Sequence, residues 1–142
     1  MDDVEAIDLE GRQVVTKERT LRYDHLVIAL GAKTGYFGRN EWEPHTLGLK
    51  SLDDALKIRR EVLLAFEKAE ATNDPAETER LLTLVVVGGG PTGVEMAGSL
   101  AELARVVLRD DFRRIDPAQA HVHLIEAGPK LLPVFPDSLT GY

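Results

Sequence analysis

Leu84-Val85-Val86-Val87-Gly88-Gly89-Gly90-Pro91-Thr92-Gly93-Val94-Glu95-Met96-Ala97 is the stretch that decides the fold. Its apolar run reads as a strand buried on both faces, as in a parallel sheet. The glycines follow with no spacer. Beyond them Ala97, Leu100, Ala101, Ala104, Val107 and Leu108 recur every three or four residues, which predicts a helix to about Arg109. A strand, a Gly-x-Gly-x-x-Gly turn and a helix in that order predict a dinucleotide-binding βαβ unit. Gly88 permits the tight turn, Gly90 lets a pyrophosphate approach the backbone, and Gly93 lets the helix pack close on the strand. Gly89, Pro91 and Thr92 fill the remaining positions of that turn and are expected cofactor-binding residues with the three glycines of the motif. Free N–H groups and the dipole at the helix start hold phosphate there without a basic side chain. The fold class that follows is α/β, with a Rossmann-like dinucleotide-binding βαβ.

A second strand is expected at His121-Val122-His123-Leu124-Ile125, ending at Glu126. The usual search for a ribose-binding acid looks about 20 residues past the first glycine. That spacing falls on Asp110 and Asp111, in a polar, irregular stretch broken by Pro117. Glu126 lies nearly twice as far on, but it sits where the contacting acid belongs, at the carboxyl end of the second strand. Residues 109–120 are then an insertion. A carboxylate at Glu126 bonds the ribose hydroxyls and repels a 2′-phosphate, which selects NADH over NADPH.

Glu95 falls in the first turn of the binding helix, where an acid stabilises the dipole by about 0.3–1 kcal/mol. A functional role toward the ligand is equally open at this point. His121 and His123 alternate onto one strand face without a third ligand, so they read as solvent-facing or packed side chains. No metal site is expected; His25 and His45 have no partner pattern.

Upstream, Val4–Leu9 alternates, Glu10-Gly11 turns, and Val14-Val15-Thr16 returns as a second strand. Leu26-Val27-Ile28-Ala29-Leu30, stopped by Gly31, predicts another strand buried on both faces. Residues 31–50, rich in glycine, form a crossing loop. Ser51-Leu52-Asp53-Asp54 is a helix start, and Ala55, Ile58, Val62, Phe66 and Ala69 mark an amphipathic helix over roughly 52–71. Asn73-Asp74-Pro75 ends it and caps a short helical turn through Arg80. A last helix start stands at Asp137-Ser138.

Lys and Arg total 17 against 24 Asp and Glu, a net charge of −7. No basic stripe suggests nucleic acid as a partner. The absence of cysteine excludes disulfides, thiolate metal sites and a cysteine nucleophile within these residues. No apolar run approaches the roughly 20 residues of a membrane span, and the acidic N-terminus lacks the form of a signal peptide. A cytoplasmic, reducing location is expected.

Several stretches carry a family resemblance. Tyr23-Asp24-His25-Leu26-Val27-Ile28-Ala29-Leu30-Gly31-Ala32 resembles the second FAD motif of two-dinucleotide-binding flavoproteins. Ser51-Leu52-Asp53-Asp54-Ala55 with Val85 to Gly98 resembles their NAD(P)H segment. Ala101-Glu102-Leu103-Ala104-Arg105, Asp111-Phe112-Arg113, Ile115-Asp116-Pro117 and Glu126-Ala127-Gly128-Pro129-Lys130-Leu131-Leu132-Pro133 resemble type II NADH dehydrogenases, the non-pumping NADH:quinone oxidoreductases. These belong to the pyridine nucleotide-disulfide oxidoreductase superfamily. The resemblance implies an internal fragment. Residues 1–50 would be a β-rich segment of the FAD-binding domain with its crossover, and 51–142 an incomplete NADH-binding segment. It further implies that Gly88, Gly90, Pro91, Thr92 and Gly93 hold the pyrophosphate and Glu126 the adenosine ribose. Glu95 would lie near the nicotinamide–flavin junction, as the catalytic residue, while Leu30 and Gly31 touch FAD through their backbone. The parent would pass electrons from NADH through FAD to a quinone, peripherally on the inner face of the cell membrane. The fragment itself would be inactive and prone to self-associate through uncovered strands. Alternatives are a fragment of a disulfide or ferredoxin reductase, or a nucleotide-binding module without catalysis.

Overall fold

The computed structural model describes residues 2–140; Met1, Gly141 and Tyr142, the outer ends of the expected 1–50 and 51–142 segments, lie outside the described residues. Two compact units form, Met1–Asn40 and Glu41–Tyr142. The first is an antiparallel meander of β1 (Val4–Asp8), β2 (Gln13–Thr16) and β3 (Thr20–Arg22). Asp8 Oδ1 accepts from the Gly11 N–H at 2.8 Å and closes the first turn. The last strand lies within residues 4–30, which read as β in the sequence, although the pattern singles out no separate strand there.

The run Leu26–Leu30 corrects the sequence expectation. It forms no strand, and Val27 and Leu30 are 86% and 81% exposed. A strand buried on both faces needs partners at its edges and layers over its faces. Among the described residues no strand pairs with this run.

A 3₁₀ turn, Asn40–His45, starts at the last residue of the first unit and occupies part of the expected loop; in the second unit α1 follows at Leu52–Ala71. Ser51 Oγ accepts from Asp54 N–H at 3.1 Å, while Asp54 Oδ2 accepts from Ser51 N–H at 2.9 Å. This reciprocal cap satisfies two orphan donors at the helix start. Helix α2, Pro75–Leu81, has proline in its first position and Asp74 as its cap. Strands β4 (Thr83–Val87) and β5 (His121–Ile125) pair in parallel from Thr83↔His121 to Val87↔Ile125. Between them run α3 (Pro91–Glu102), a π-helical turn (Leu103–Val107) and a 3₁₀ turn (Pro117–Gln119); α4 (Asp137–Thr140) comes last.

Val62, Phe66 and Ala69 of α1 bury against Leu81 and Leu82, Leu100, Ala104 and Leu108, with Leu84, Val86 and Val122 packed beneath them. The sheet is therefore covered on one face. Val85 and Val87 turn away, and Val87 is 74% exposed, which corrects the expectation of a strand buried on both sides. With only two strands and helices over one side, the period-2 alternation sends every second residue outward.

The helix expected to reach Arg109 instead widens after Glu102. Leu108 N–H donates to the Leu103 carbonyl at 2.9 Å, five residues back. That extra residue per turn shifts the phase, so Ala104 and Leu108 are buried while Val106 and Val107 face out.

Candidate dinucleotide-binding site

Gly88 continues the sheet ladder by donating its N–H to the Ile125 carbonyl at 2.8 Å, then turns with φ of +110°. Only glycine adopts that conformation readily. A Cβ on Gly93 would lie 1.8 Å from the Gly88 carbonyl oxygen, so α3 starts packed against the turn. A Cβ on Gly90 would meet nothing within 4 Å: the space in front of the helix start is open to a ligand.

Helix α3 differs from α1 and α2 in having no side-chain cap. Its first-turn N–H groups have no intrahelical acceptor, and Pro91 contributes none. Gly90, Thr92 and Gly93 thus present backbone donors and the positive dipole end to that open space, which suits a pyrophosphate.

Glu126 follows β5 directly and is half-buried. Its Oε2 accepts from Gly89 N–H at 2.5 Å and its Oε1 from Gly128 N–H at 2.8 Å. The N–H groups of Gly128, then Gly89, outweigh desolvation, and with Ala127 they hold the carboxyl below the ordinary glutamate range. The acid is ionised at neutral pH and stands beside the Gly-rich turn. Asp110 pairs with Arg109 at 3.3 Å on the surface, and neither it nor Asp111 is at the end of β5. Lys130, the cation close to Glu126 in sequence, is engaged by Asp137.

Gly89 has a role that sequence reasoning missed. A Cβ there would come within 2.7 Å of Leu131 Cδ2 and 3.0 Å of Glu126 Cβ. Its carbonyl accepts from Leu132 N–H at 2.7 Å, and Leu132 sits at a positive φ of 51°. Segment 126–132 is thereby folded onto the turn. The turn-forming Ala127-Gly128-Pro129 immediately after the acid was the available signal.

Glu95 is the fifth residue of α3, and the first turn holds no acid. The expected first-turn position is corrected: dipole stabilisation falls off beyond that turn. Glu95 is exposed on α3. Leu30 and Gly31 belong to the first unit, where Gly31 has φ of +70° and open space around it. His121 and His123 stack on the exposed sheet face with centroids 6.2 Å apart. Among the described residues no group of three or more His, Cys, Asp or Glu is placed to hold a metal, and no helix is long and apolar enough to cross a membrane.

A cleft of about 400 Å³ lies elsewhere, beside Asn73, Leu82, Arg114 and His121, at the amino ends of β4 and β5. Ligands of open α/β sheets bind outside the carboxyl ends, so the Gly-rich turn, and not this cleft, is the candidate dinucleotide site.

Residues 1–142 match the family model described as pyridine nucleotide-disulphide oxidoreductase. The chain belongs to that family. Within it, type II NADH:quinone oxidoreductase NdhA of Mycobacterium tuberculosis is 46% identical over 137 residues, covering 94% of this chain and 29% of the relative. The external alternative NADH-ubiquinone oxidoreductase of Yarrowia lipolytica mitochondria is 38% identical, over 96% of this chain and 23% of its own length. The structure of NDH2 from Plasmodium falciparum in complex with NADH matches with a TM-score of 0.81 and 32% identity, over 98% of this chain and 29% of that one. This pyridine nucleotide-disulphide oxidoreductase chain thus spans less than a third of these relatives' length.

Proposed function

We propose that this chain is the NADH-binding portion of an FAD-dependent NADH dehydrogenase that delivers electrons to a quinone. The observation that carries the proposal is the uncapped Gly-rich helix start with the Glu126 carboxylate bonded to the same turn. The names of the relatives favour a quinone over a disulfide or ferredoxin as acceptor. Residues 1–50 supply part of the FAD-binding domain, including the Leu30 and Gly31 backbone. Residues 51–142 supply the NADH segment. The parent sits peripherally on the inner face of the membrane, where it meets the quinone, and the isolated chain self-associates.

Gly88, Gly90, Pro91, Thr92 and Gly93 orient NADH by its pyrophosphate, through backbone donors and the dipole of α3. Glu126, seated by Gly89 and Gly128, accepts the adenosine ribose hydroxyls and repels a 2′-phosphate. Glu95 stands toward the nicotinamide and sets its approach. FAD, held in part by the Leu30 and Gly31 backbone, would supply the acceptor for the hydride of NADH and the two-electron donor for the quinone.

The test uses a protein of the relatives' length that carries this sequence, followed by stopped-flow absorbance. NADH should reduce the flavin and quinone should reoxidise it; an unreactive flavin would sink the proposal. Glu95→Gln should slow flavin reduction at least tenfold, about 1.4 kcal/mol of barrier, with a smaller change in NADH affinity. Reduction at the wild-type rate would leave Glu95 as an exposed helix residue with no part in the chemistry.

A further inference from the structure

Helix α1 carries one side chain that neither its core stripe nor its cap explains. Glu70, in the last turn, accepts hydrogen bonds from three consecutive N–H groups more than forty residues away. Arg113 N–H reaches Oε1 at 3.2 Å, Arg114 N–H reaches Oε2 at 3.0 Å, and Ile115 N–H reaches Oε2 at 3.1 Å. Successive N–H groups converging on one point form an anion nest, and here the anion belongs to the protein itself.

The contact is part of a built clamp. Arg114 Nη2 donates to Asn73 Oδ1 at 2.5 Å, and Phe112 sets its ring 6.0 Å from that of Phe66. Ile115 packs on the core and Pro117 is fully buried. Asp116 caps the turn at Pro117–Gln119. The chain then enters β5 with His121 N–H donating to the Leu82 carbonyl at 2.9 Å. Residues 109–120 are therefore held at both ends, not looped out.

We propose that Glu70 is a positioning residue for the dinucleotide site, acting through the Arg113–Ile115 nest to fix how the chain enters β5 and so where Glu126 emerges beside Gly89. The proposal rests on the reading of Glu126 given above. A strand slipped by one residue turns every side chain to the other face, so the entry of a five-residue strand carries its register to the far end. Loosening the nest frees the amino end of β5. The Glu126 carboxylate, at its carboxyl end, then loses its fixed distance to the Gly-rich turn.

The experiment compares Glu70→Ala and Glu70→Gln with Glu67→Ala, an exposed acid of the same helix, all well below their melting temperatures. Amide exchange and the Kd of NADH and of NADPH are read for each. Glu70→Ala should speed exchange at Arg113–Ile115 and along β5, weaken NADH about tenfold and narrow the preference over NADPH. Glu70→Gln, which keeps the shape and one acceptor oxygen, should fall between it and the wild type, and it carries the test if the alanine variant does not fold. Glu67→Ala should leave all three readouts in place. Combined with Glu126→Gln, Glu70→Ala should cost less than the product of the two single effects, because the acid it positions is gone. A lowered melting temperature with unchanged NADH affinity and preference would make Glu70 a stabilising residue only and overturn the proposal. Unchanged exchange at Arg113–Ile115 would overturn the clamp itself. Glu126→Gln alone leaving the preference unchanged would instead overturn the reading of Glu126, and the proposal with it.

Discussion

Glu126 is tied to the Gly-rich turn by charge as well as by position, and the tie has a pH dependence. Its folded pKa lies below the ordinary value because N–H groups of Gly128 and Gly89 favour the carboxylate. The stability it contributes is therefore complete above the unfolded glutamate pKa of about 4.3 and is lost as pH falls through the lower, folded value. The Gly89 and Gly128 amide resonances should titrate together with a midpoint below that of a free glutamate; a midpoint above it would show that desolvation wins. Two glycines of α3 give opposite expectations. Gly93→Ala drives a methyl group into the Gly88 carbonyl and should destabilise by about 1–3 kcal/mol. Gly98→Ala meets nothing within 4 Å in mid-helix and should stabilise by about 0.5–1 kcal/mol. Urea denaturation of the two variants separates a close approach from a mere interruption of the helix.

Among the elements, Phe66 shows what α1 does for the fold. It is fully buried and faces the Phe112 ring, so Phe66→Ala should cost about 3–5 kcal/mol, read as a lower denaturation midpoint with unchanged slope. That helix was legible from Ser51 to Ala71 because its cap, its stripe and its end are all local signals. Strand β5 and the short α2 were legible for the same reason. Leu26–Leu30 was not: an apolar run reports what a strand needs around it, and the described residues supply no partner strand. The π-helical turn was also hidden, since Leu103, Ala104 and Val107 fit an α-helical period equally well until Leu108 bonds five residues back. At the site, the Gly-x-Gly-x-x-Gly turn and Glu126 were readable from position along the chain. The Gly89 contacts and the Glu70 nest were not, because each joins segments 37 or more residues apart; Ala127-Gly128-Pro129 was the one local signal at Gly89, and the N–H groups at Glu70 carry no residue-type signature.

At the scale of the whole molecule, one face of the β4–β5 sheet presents Val85, Val87 and Ile125 outward. Exposed apolar strand faces and unpaired edges favour association between copies. The average mass from light scattering should rise with concentration; a clean monomer at high concentration would remove self-association from the account. The chain alone should also purify without stoichiometric flavin, since it contributes only Leu30 and Gly31 of the proposed FAD contacts; one flavin per chain by absorbance would contradict that assignment. The central claim, that Gly88–Gly93 and Glu126 form a site for NADH, is tested most directly by titrating the chain with NADH and NADPH while following amide resonances. Shifts centred on Gly88–Gly93 and Glu126 are expected, with NADPH at least tenfold weaker, about 1.4 kcal/mol. Equal affinity for the two, or shifts centred on the cleft beside Arg114 and His121, would contradict it.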